Sequence, residues 1–80
     1  MRTPRDLSGR QLATALERLW YRQVRREGSH IRLTTTLNGE HHLTIPDHKP
    51  LKVGTLNAIV KDVAVHHGLS KLELLQRLFG

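Results

Sequence analysis

The triplet Gly28-Ser29-His30 contains the side chain in this sequence that is best suited to do chemistry. It closely follows Arg25 and Arg26, and Gly-Ser is typical of a turn. Because imidazole titrates near neutral pH, His30 can take a proton from a ribose 2′-hydroxyl while guanidinium groups hold the adjacent phosphate. Such groups would cleave RNA without a metal. A polar turn histidine is nevertheless common, so the spacing alone favours an ordinary structural role.

The surroundings of this turn are strongly basic. The chain has 13 Lys and Arg residues against seven Asp and Glu, which gives a net charge of +6. Such an excess attracts polyanions, and nucleic acid is the favoured partner, although an acidic protein or a generic solvated surface also fits. Near the triplet only Glu27 interrupts the positive charge. The side chains expected to bind phosphate are Arg22, Arg25, Arg26 and Arg32.

Two further polar residues could take part in the same chemistry. Ser29 either orients His30 or satisfies the turn. His48, in the segment Pro46-Asp47-His48, either acts on RNA as a second proton donor or fixes its loop by a hydrogen bond to the backbone. We favour the structural role for His48 because its loop directly precedes a predicted helix.

The six histidines do not form a recognisable metal site. The pairs His41-His42 and His66-His67 lack the spacing of zinc ligands, and adjacent residues on a strand point to opposite faces. The sequence contains no cysteine, which excludes thiolate sites and disulfides. We therefore expect neither a metal nor another cofactor. Trp20 and Tyr21 could stack on bases, but their place after an amphipathic helix favours packing in the core or at the helix end.

Three helices are predicted from apolar periodicity and from capping residues. Ser8 caps the first helix, Gly68 ends the second, and Ser70 with Glu73 forms the capping box of the third. The second helix opens at Gly54-Thr55. The apolar stripes expected to face the core are Leu12, Ala15, Leu16 and Leu19, then Leu56, Ile59, Val60 and Val63, then Leu72, Leu75 and Phe79.

Three antiparallel strands are predicted between the first two helices. Ile31 and Leu33 alternate with polar residues, Asn38-Gly39 is a strong hairpin signal, and Pro46 ends the last run. The order predicts an α+β fold, α-β-β-β-α with a short extra C-terminal helix, in which helices cover one face of the sheet. The other face carries Arg, Thr and His residues and is left for a partner.

The length of 80 residues fits a single domain over residues 1–80, in which residues 1–6 form a loose arm that contains Pro4. No apolar run approaches the roughly 18 residues of a membrane span, and residues 1–10 lack the apolar stretch of a signal peptide. We therefore expect a cytoplasmic protein without a membrane partner.

Three short motifs occur in an order and spacing that resemble the HicA family of toxins. They are Arg26-Glu27-Gly28-Ser29-His30, Ile45-Pro46-Asp47-His48, and Lys52-Val53-Gly54-Thr55-Leu56 followed by Ile59. The resemblance extends roughly from Asp6 to Phe79. In that family a glycine often precedes an aromatic residue at the end of the first helix, where this chain has Trp20-Tyr21.

The resemblance implies a fold like that of double-stranded-RNA-binding domains and a role as toxin in a type II toxin–antitoxin system. It implies metal-independent cleavage of messenger RNA, with His30 as the catalytic histidine. We also count Ser29 and Lys52 among the candidate RNA-binding residues. It also implies a HicB-type antitoxin that covers the active site in a hetero-oligomer with the toxin.

Two other functions stay open at the level of sequence. A non-catalytic double-stranded-RNA-binding module could have the same order of elements. Such modules resemble one another in a lysine cluster at the start of the second helix, where residues 54–61 contain only Lys61. A protein-interaction domain with a basic face would neither bind nor cleave naked RNA.

Overall fold

The computed structural model describes residues 6–80, so the arm predicted over residues 1–6 lies outside the described residues except for Asp6. Within this part of the chain the order of elements is α-β-β-β-α with an extra C-terminal helix, which confirms the predicted α+β fold. No helix over residues 6–80 combines the length and the apolar character that crossing a bilayer requires. The elements are α1 (Gly9–Leu16) continued by a 3₁₀ turn (Glu17–Leu19), β1 (Arg22–Glu27), β2 (His30–Thr35), β3 (His41–Pro46), α2 (Val53–His67) and α3 (Lys71–Phe79).

The helix ends form where the capping residues predict them. Ser8 Oγ accepts the Gln11 N–H at 3.1 Å while Gln11 Oε1 accepts the Ser8 N–H at 2.9 Å, a reciprocal pair that satisfies two orphan donors of α1. Ser70 and Glu73 make the same pair at the start of α3. Gly68 ends α2 with a φ of 65°, in the left-handed region where glycine has no steric penalty.

The sheet is antiparallel with the strand order β1-β2-β3. Its register pairs Ile31 with Ile45 and Leu33 with Leu43, so the apolar side chains of β2 and β3 share one face. The helices bury that face, and the opposite face stays open, as the alternation predicts. The buried residues on the sheet and the first two helices include Leu12, Leu16, Leu19, Ile31, Leu33, Leu43, Ile45, Ile59, Val60 and Val63.

The apolar stripe predicted for α3 is wrong at one of its three positions. Leu75 is buried and Phe79 packs against the core, but Leu72 is 51% exposed. Leu74 and Leu78 are buried instead. With 3.6 residues per turn, Leu72 lies roughly 110° around the helix from the centre of the buried residues, which places it at the margin of the contact.

The packing predicted for the aromatic pair after α1 is confirmed for Tyr21 and wrong for Trp20. Tyr21 is 2% exposed, whereas Trp20 is 74% exposed. Trp20 has a φ of 64° and a ψ of 22°, so the chain reverses there in a left-handed conformation. This reversal directs Tyr21 into the core and leaves the indole outside.

The start of α1 lies directly against the segment that follows β3. A Cβ atom added to Gly9 would come within 1.9 Å of the Pro46 carbonyl oxygen, so only glycine allows this approach. The Gly9 N–H donates to the His48 carbonyl at 2.9 Å, and the Leu51 N–H donates to the Leu7 carbonyl at 2.8 Å. The loop between β3 and α2 is thereby held against the helix layer.

The end of the sheet opposite to His30 is closed by a cluster of histidines around Tyr21. The Tyr21 hydroxyl lies 2.6 Å from His41 Nδ1 and 3.0 Å from His67 Nε2. His41 Nε2 lies 3.2 Å from an Asp62 carboxylate oxygen, and Asn38 Nδ2 lies 3.0 Å from His67 Nδ1. No group of residues over 6–80 has three or more side chains placed to hold a metal ion. The cluster is a hydrogen-bonding network.

One set of neutral tautomers satisfies every link of this network. Asn38 donates to His67, His67 donates to the Tyr21 oxygen, Tyr21 donates to His41, and His41 donates to Asp62. Burial is the largest cause that lowers the pKa of His67 from its ordinary 6.5, and repulsion from Arg77 and from His66 and His41 when these are protonated adds to it. The folded protein therefore favours the neutral imidazole at this position.

The close approach at Gly9 predicts opposite effects for two glycine substitutions. Gly9→Ala should lower the free energy of unfolding by about 1–3 kcal/mol, because its Cβ displaces the Pro46 backbone. Gly54→Ala is the matched control, since nothing lies within 4 Å of its added Cβ in α2. Gly54→Ala should raise the free energy of unfolding by about 0.4–1 kcal/mol. Urea unfolding measures both, and equal midpoints for Gly9→Ala and the unmodified protein would contradict the assigned contact.

The histidine network predicts a loss of stability in mild acid. The lowered pKa of folded His67 means that the unfolded chain takes up the proton more readily, so the contribution is present above pH 6.5 and is lost as the pH falls below it. His67→Gln should flatten the dependence of the free energy of unfolding on pH between about 7 and 5. His42→Gln removes an exposed histidine from the other sheet face and serves as the control. A full acid-dependent loss in the His67→Gln protein would exclude His67 as its source.

Candidate active site

His30 lies at the corner where β1 turns into β2. Gly28 and Ser29 form the connection, and Gly28 has a φ of 57°, in the region that favours glycine. In the register of the sheet, His30 pairs with Glu27 on one side and with Pro46 on the other. The residue is exposed. The corner therefore presents an imidazole to solvent from a backbone that is held by both neighbouring strands.

The segment after β3 reinforces this corner through Asp47. The Asp47 N–H donates to the Ser29 carbonyl at 2.6 Å, which fixes the residue directly before His30. The same segment is bound to α1 through the hydrogen bond between Gly9 and the His48 carbonyl. The backbone around His30 is thus connected to the helix layer as well as to the sheet.

The carboxylate of Asp47 joins two arginines from distant parts of the chain. Its oxygens lie 3.2 and 3.3 Å from Arg10 Nε of α1, and the second partner is Arg26 of β1. The hydrogen bond from Arg26 is the largest cause that lowers the pKa of Asp47 from its ordinary 3.8, and Arg10 contributes in the same direction. Asp47 is therefore ionised at neutral pH and links α1, β1 and the loop after β3.

The four arginines that the sequence groups together lie on two different faces of the sheet. Arg26 pairs with Ile31, so it shares the helix-covered face. Arg22 pairs with Thr34 and Arg25 pairs with Arg32, and these side chains share the open face with His30. The division depends on a register shift between Gln23 and Arg25.

Glu27 neutralises part of the positive charge on the open face. Its Oε1 lies 3.0 Å from Arg25 Nε and 3.7 Å from an Arg32 guanidinium nitrogen. All three side chains are more than 40% exposed, and ion pairs in that setting contribute about 0–1 kcal/mol. A phosphate with two anionic oxygens can compete for the same guanidinium groups at little cost.

The remaining residues that the sequence selects lie around the same loop. Lys52 is the N-cap residue of α2 and is exposed. His48 is exposed, and its main-chain carbonyl, which accepts the Gly9 N–H, ties the loop to α1. Ser29 is exposed, and its carbonyl accepts the Asp47 N–H. For Ser29 and His48 it is the backbone that holds the loop in place.

A cavity of about 400 Å³ lies between α1 and the first two strands, lined by residues that include Arg10, Glu17, Arg26 and Ile31. These residues belong to the helix side of the sheet, whereas His30 lies at the open corner. His30 is exposed, and an exposed site suits a polymer better than a small molecule.

Sequence reasoning missed Arg10 and the anchoring role of Asp47. Asp47 was visible as part of the segment Pro46-Asp47-His48, but its partners Arg10 and Arg26 are 37 and 21 positions away along the chain. No local pattern connects residues at these separations. The signal that could have drawn attention to Asp47 is that it is the lone acidic residue along residues 41–53, a segment that also contains Lys49 and Lys52.

A family model provides the comparison that assigns the chain. The model for the HicA toxin of bacterial toxin–antitoxin systems matches residues 9–65, from the start of α1 through the sheet and most of α2. Searches of curated proteins and of solved structures found no significant match. The family match includes His30 and covers more than half of the 80 residues. The chain belongs to the HicA family of toxins of bacterial toxin–antitoxin systems.

Proposed function

We propose that this toxin is a metal-independent endoribonuclease that cleaves messenger RNA, with His30 as its catalytic residue. The observation that carries the proposal is the placement of an exposed imidazole at a braced corner, on the same sheet face as Arg22, Arg25 and Arg32. This placement supports the proposal, because the reaction needs a general base and cations close to one another.

The proposed reaction needs only proton donors and acceptors that the protein and the solvent supply. His30 takes the proton of a ribose 2′-hydroxyl, and the oxygen attacks the adjacent phosphorus. The bond from phosphorus to the 5′-oxygen breaks, which leaves a 2′,3′-cyclic phosphate and a 5′-hydroxyl. The leaving oxygen takes a proton from water or from His48, which lies in the loop beside the corner. The arginines of the open face offset the charge that develops on the phosphate oxygens.

The contacts of the arginines favour two different roles. Arg22, Arg25 and Arg32 would bind phosphates directly, and Lys52 and Ser29 would extend this binding around the corner. Arg26 is engaged by Asp47 on the helix-covered face. We therefore assign it a positioning role, in which it holds Asp47 and, through the Asp47 N–H, the residue before His30.

An antitoxin is the partner that membership in this family implies. We propose that it is of the HicB type and covers the open face around His30, with acidic residues opposite Arg25 and Arg32. The hetero-oligomer would exclude RNA from the corner. Since messenger RNA is the proposed substrate, the toxin would act in the cytoplasm.

His30→Ala should abolish toxicity without unfolding the protein. The unmodified chain, expressed without its antitoxin, should arrest bacterial growth, and the variant should lift the arrest because loss of a general base costs about 10²–10⁴ in rate. His42→Ala is the matched control, since His42 is also an exposed histidine of the open face. Cleavage of messenger RNA by the purified proteins gives the direct measurement. Equal cleavage by the His30→Ala protein would remove His30 from the mechanism.

The two arginine faces predict different salt dependences of RNA binding. In a His30→Ala background, Arg25→Ala or Arg32→Ala should each weaken binding and reduce the slope of log K against log salt by about 1. Arg26→Ala should leave the slope unchanged, because its guanidinium is held by Asp47. In the otherwise unmodified protein, Arg26→Ala should lower the cleavage rate. The binding constant for RNA, measured at several salt concentrations, tests these two roles of the arginines. A reduced slope for Arg26→Ala would assign that residue to phosphate binding.

A further inference from the structure

Trp20 has an unfavourable backbone conformation and an exposed apolar side chain, and no packing contact within residues 6–80 offsets either cost. Its φ of 64° lies in the left-handed region, which costs a residue with a Cβ atom roughly 1–2 kcal/mol. Its side chain is 74% exposed, so the largest apolar side chain of the sequence gains little from burial. An outlier that packing does not explain is grounds for a functional hypothesis.

The backbone at this position has a clear role, but the indole is not needed for it. The Trp20 N–H donates to the Glu17 carbonyl at 3.0 Å, and the Tyr21 N–H donates to the Leu16 carbonyl at 3.3 Å. These bonds end the 3₁₀ turn and direct Tyr21 into the core. Glycine would adopt the same conformation without strain. The side chain therefore requires an explanation of its own.

We propose that the indole of Trp20 is a stacking platform for an unpaired base of the RNA substrate. This inference rests on the proposed endoribonuclease function and narrows its substrate to single-stranded RNA, since only an unpaired base offers a free face to an aromatic ring. An open depression of about 480 Å³ beside the ring is lined by Thr36, Leu37 and Asn38. The Thr36 hydroxyl and the Asn38 amide oxygen can meet the edge of a stacked base, while Asn38 Nδ2 stays bound to His67.

The charges between Trp20 and His30 favour nucleic acid as the occupant. Trp20 precedes β1 and lies beside Thr36, whereas His30 is the first residue of β2, about 20 Å away at roughly 3.3 Å per residue. Arg22, Arg25 and Arg32 lie between these two points on the open face. A strand of RNA along this line would place phosphates on the arginines, one base on Trp20 and the scissile bond at His30. An acidic protein surface would satisfy the arginines but has no equivalent need for an exposed ring.

The fluorescence of the indole provides a direct test, because Trp20 is the single tryptophan of the chain. The probe is a single-stranded 2′-O-methyl oligoribonucleotide, which lacks the attacking hydroxyl and is not cleaved. Its binding to the unmodified protein should quench the tryptophan emission, and a duplex of the same sequence should not. Anisotropy of the labelled oligonucleotide then gives the Kd of the variants.

Two substitutions separate stacking from packing. Trp20→Gly should raise the Kd by roughly 5- to 150-fold, the range expected for loss of one base–aromatic stack, while the Tm stays the same or rises because the strain is removed. Trp20→Phe should retain most of the affinity. An unchanged Kd for Trp20→Gly would overturn the stacking role, and a Tm that falls together with affinity would assign the ring to packing.

The measurements distinguish failure of the stacking proposal from failure of the nuclease proposal. If the unmodified protein cleaves RNA and His30→Ala does not, but Trp20→Gly binds the probe normally, the nuclease proposal stands and the stacking proposal falls. If the unmodified protein neither binds the probe nor cleaves RNA, both fall. An emission change caused by the antitoxin and not by RNA would show that Trp20 contacts the protein partner, which also overturns the proposal.

Discussion

The geometry of the candidate site depends on the ion pairs that the Asp47 carboxylate makes with two arginines. The carboxylate accepts hydrogen bonds from Arg10 of α1 and Arg26 of β1, while the main-chain N–H of Asp47 donates to the Ser29 carbonyl beside His30. The start of α1 can lie this close to the segment after β3 because Gly9 has no Cβ atom to clash with the Pro46 carbonyl. Individually these surface ion pairs add little to stability. Their consequence is positional, since a corner that would otherwise be supported by two strands is also fixed to the helix layer.

A single irregularity in β1 decides which arginines share a face with His30. Strict alternation from Arg22 would place Arg25 on the helix-covered face and Arg26 on the open face. The register shift between Gln23 and Arg25 inserts Val24 and reverses these two positions. Arg25 thereby joins Arg22 and Arg32, and Arg26 becomes available to Asp47. The one extra residue therefore places Arg25 on the basic open face and allows Arg26 to bind Asp47 on the other face.

The sequence predicted those features that depend on neighbours along the chain. The helix begins after Ser8, the capping residue that the sequence predicts, and the alternation of Ile31 and Leu33 indicates the correct buried face. The register shift in β1, the contacts of Asp47 and the exposure of Trp20 were not predictable in this way. The contacts of Asp47 depend on where distant segments meet, and the other two features depend on a backbone conformation for which the residue type gives no signal.

The histidines show why residue type and spacing could not separate structure from chemistry. His41 pairs with Thr35 at one end of the sheet, where Tyr21 and Asp62 bind both of its ring nitrogens. His30 lies at the other end of β2 and is exposed. An imidazole whose nitrogens are both engaged cannot exchange a proton with a substrate without breaking the fold around it. An exposed imidazole on a fixed backbone can do so, and this difference, which only the tertiary contacts reveal, separates His30 from His41 and His67.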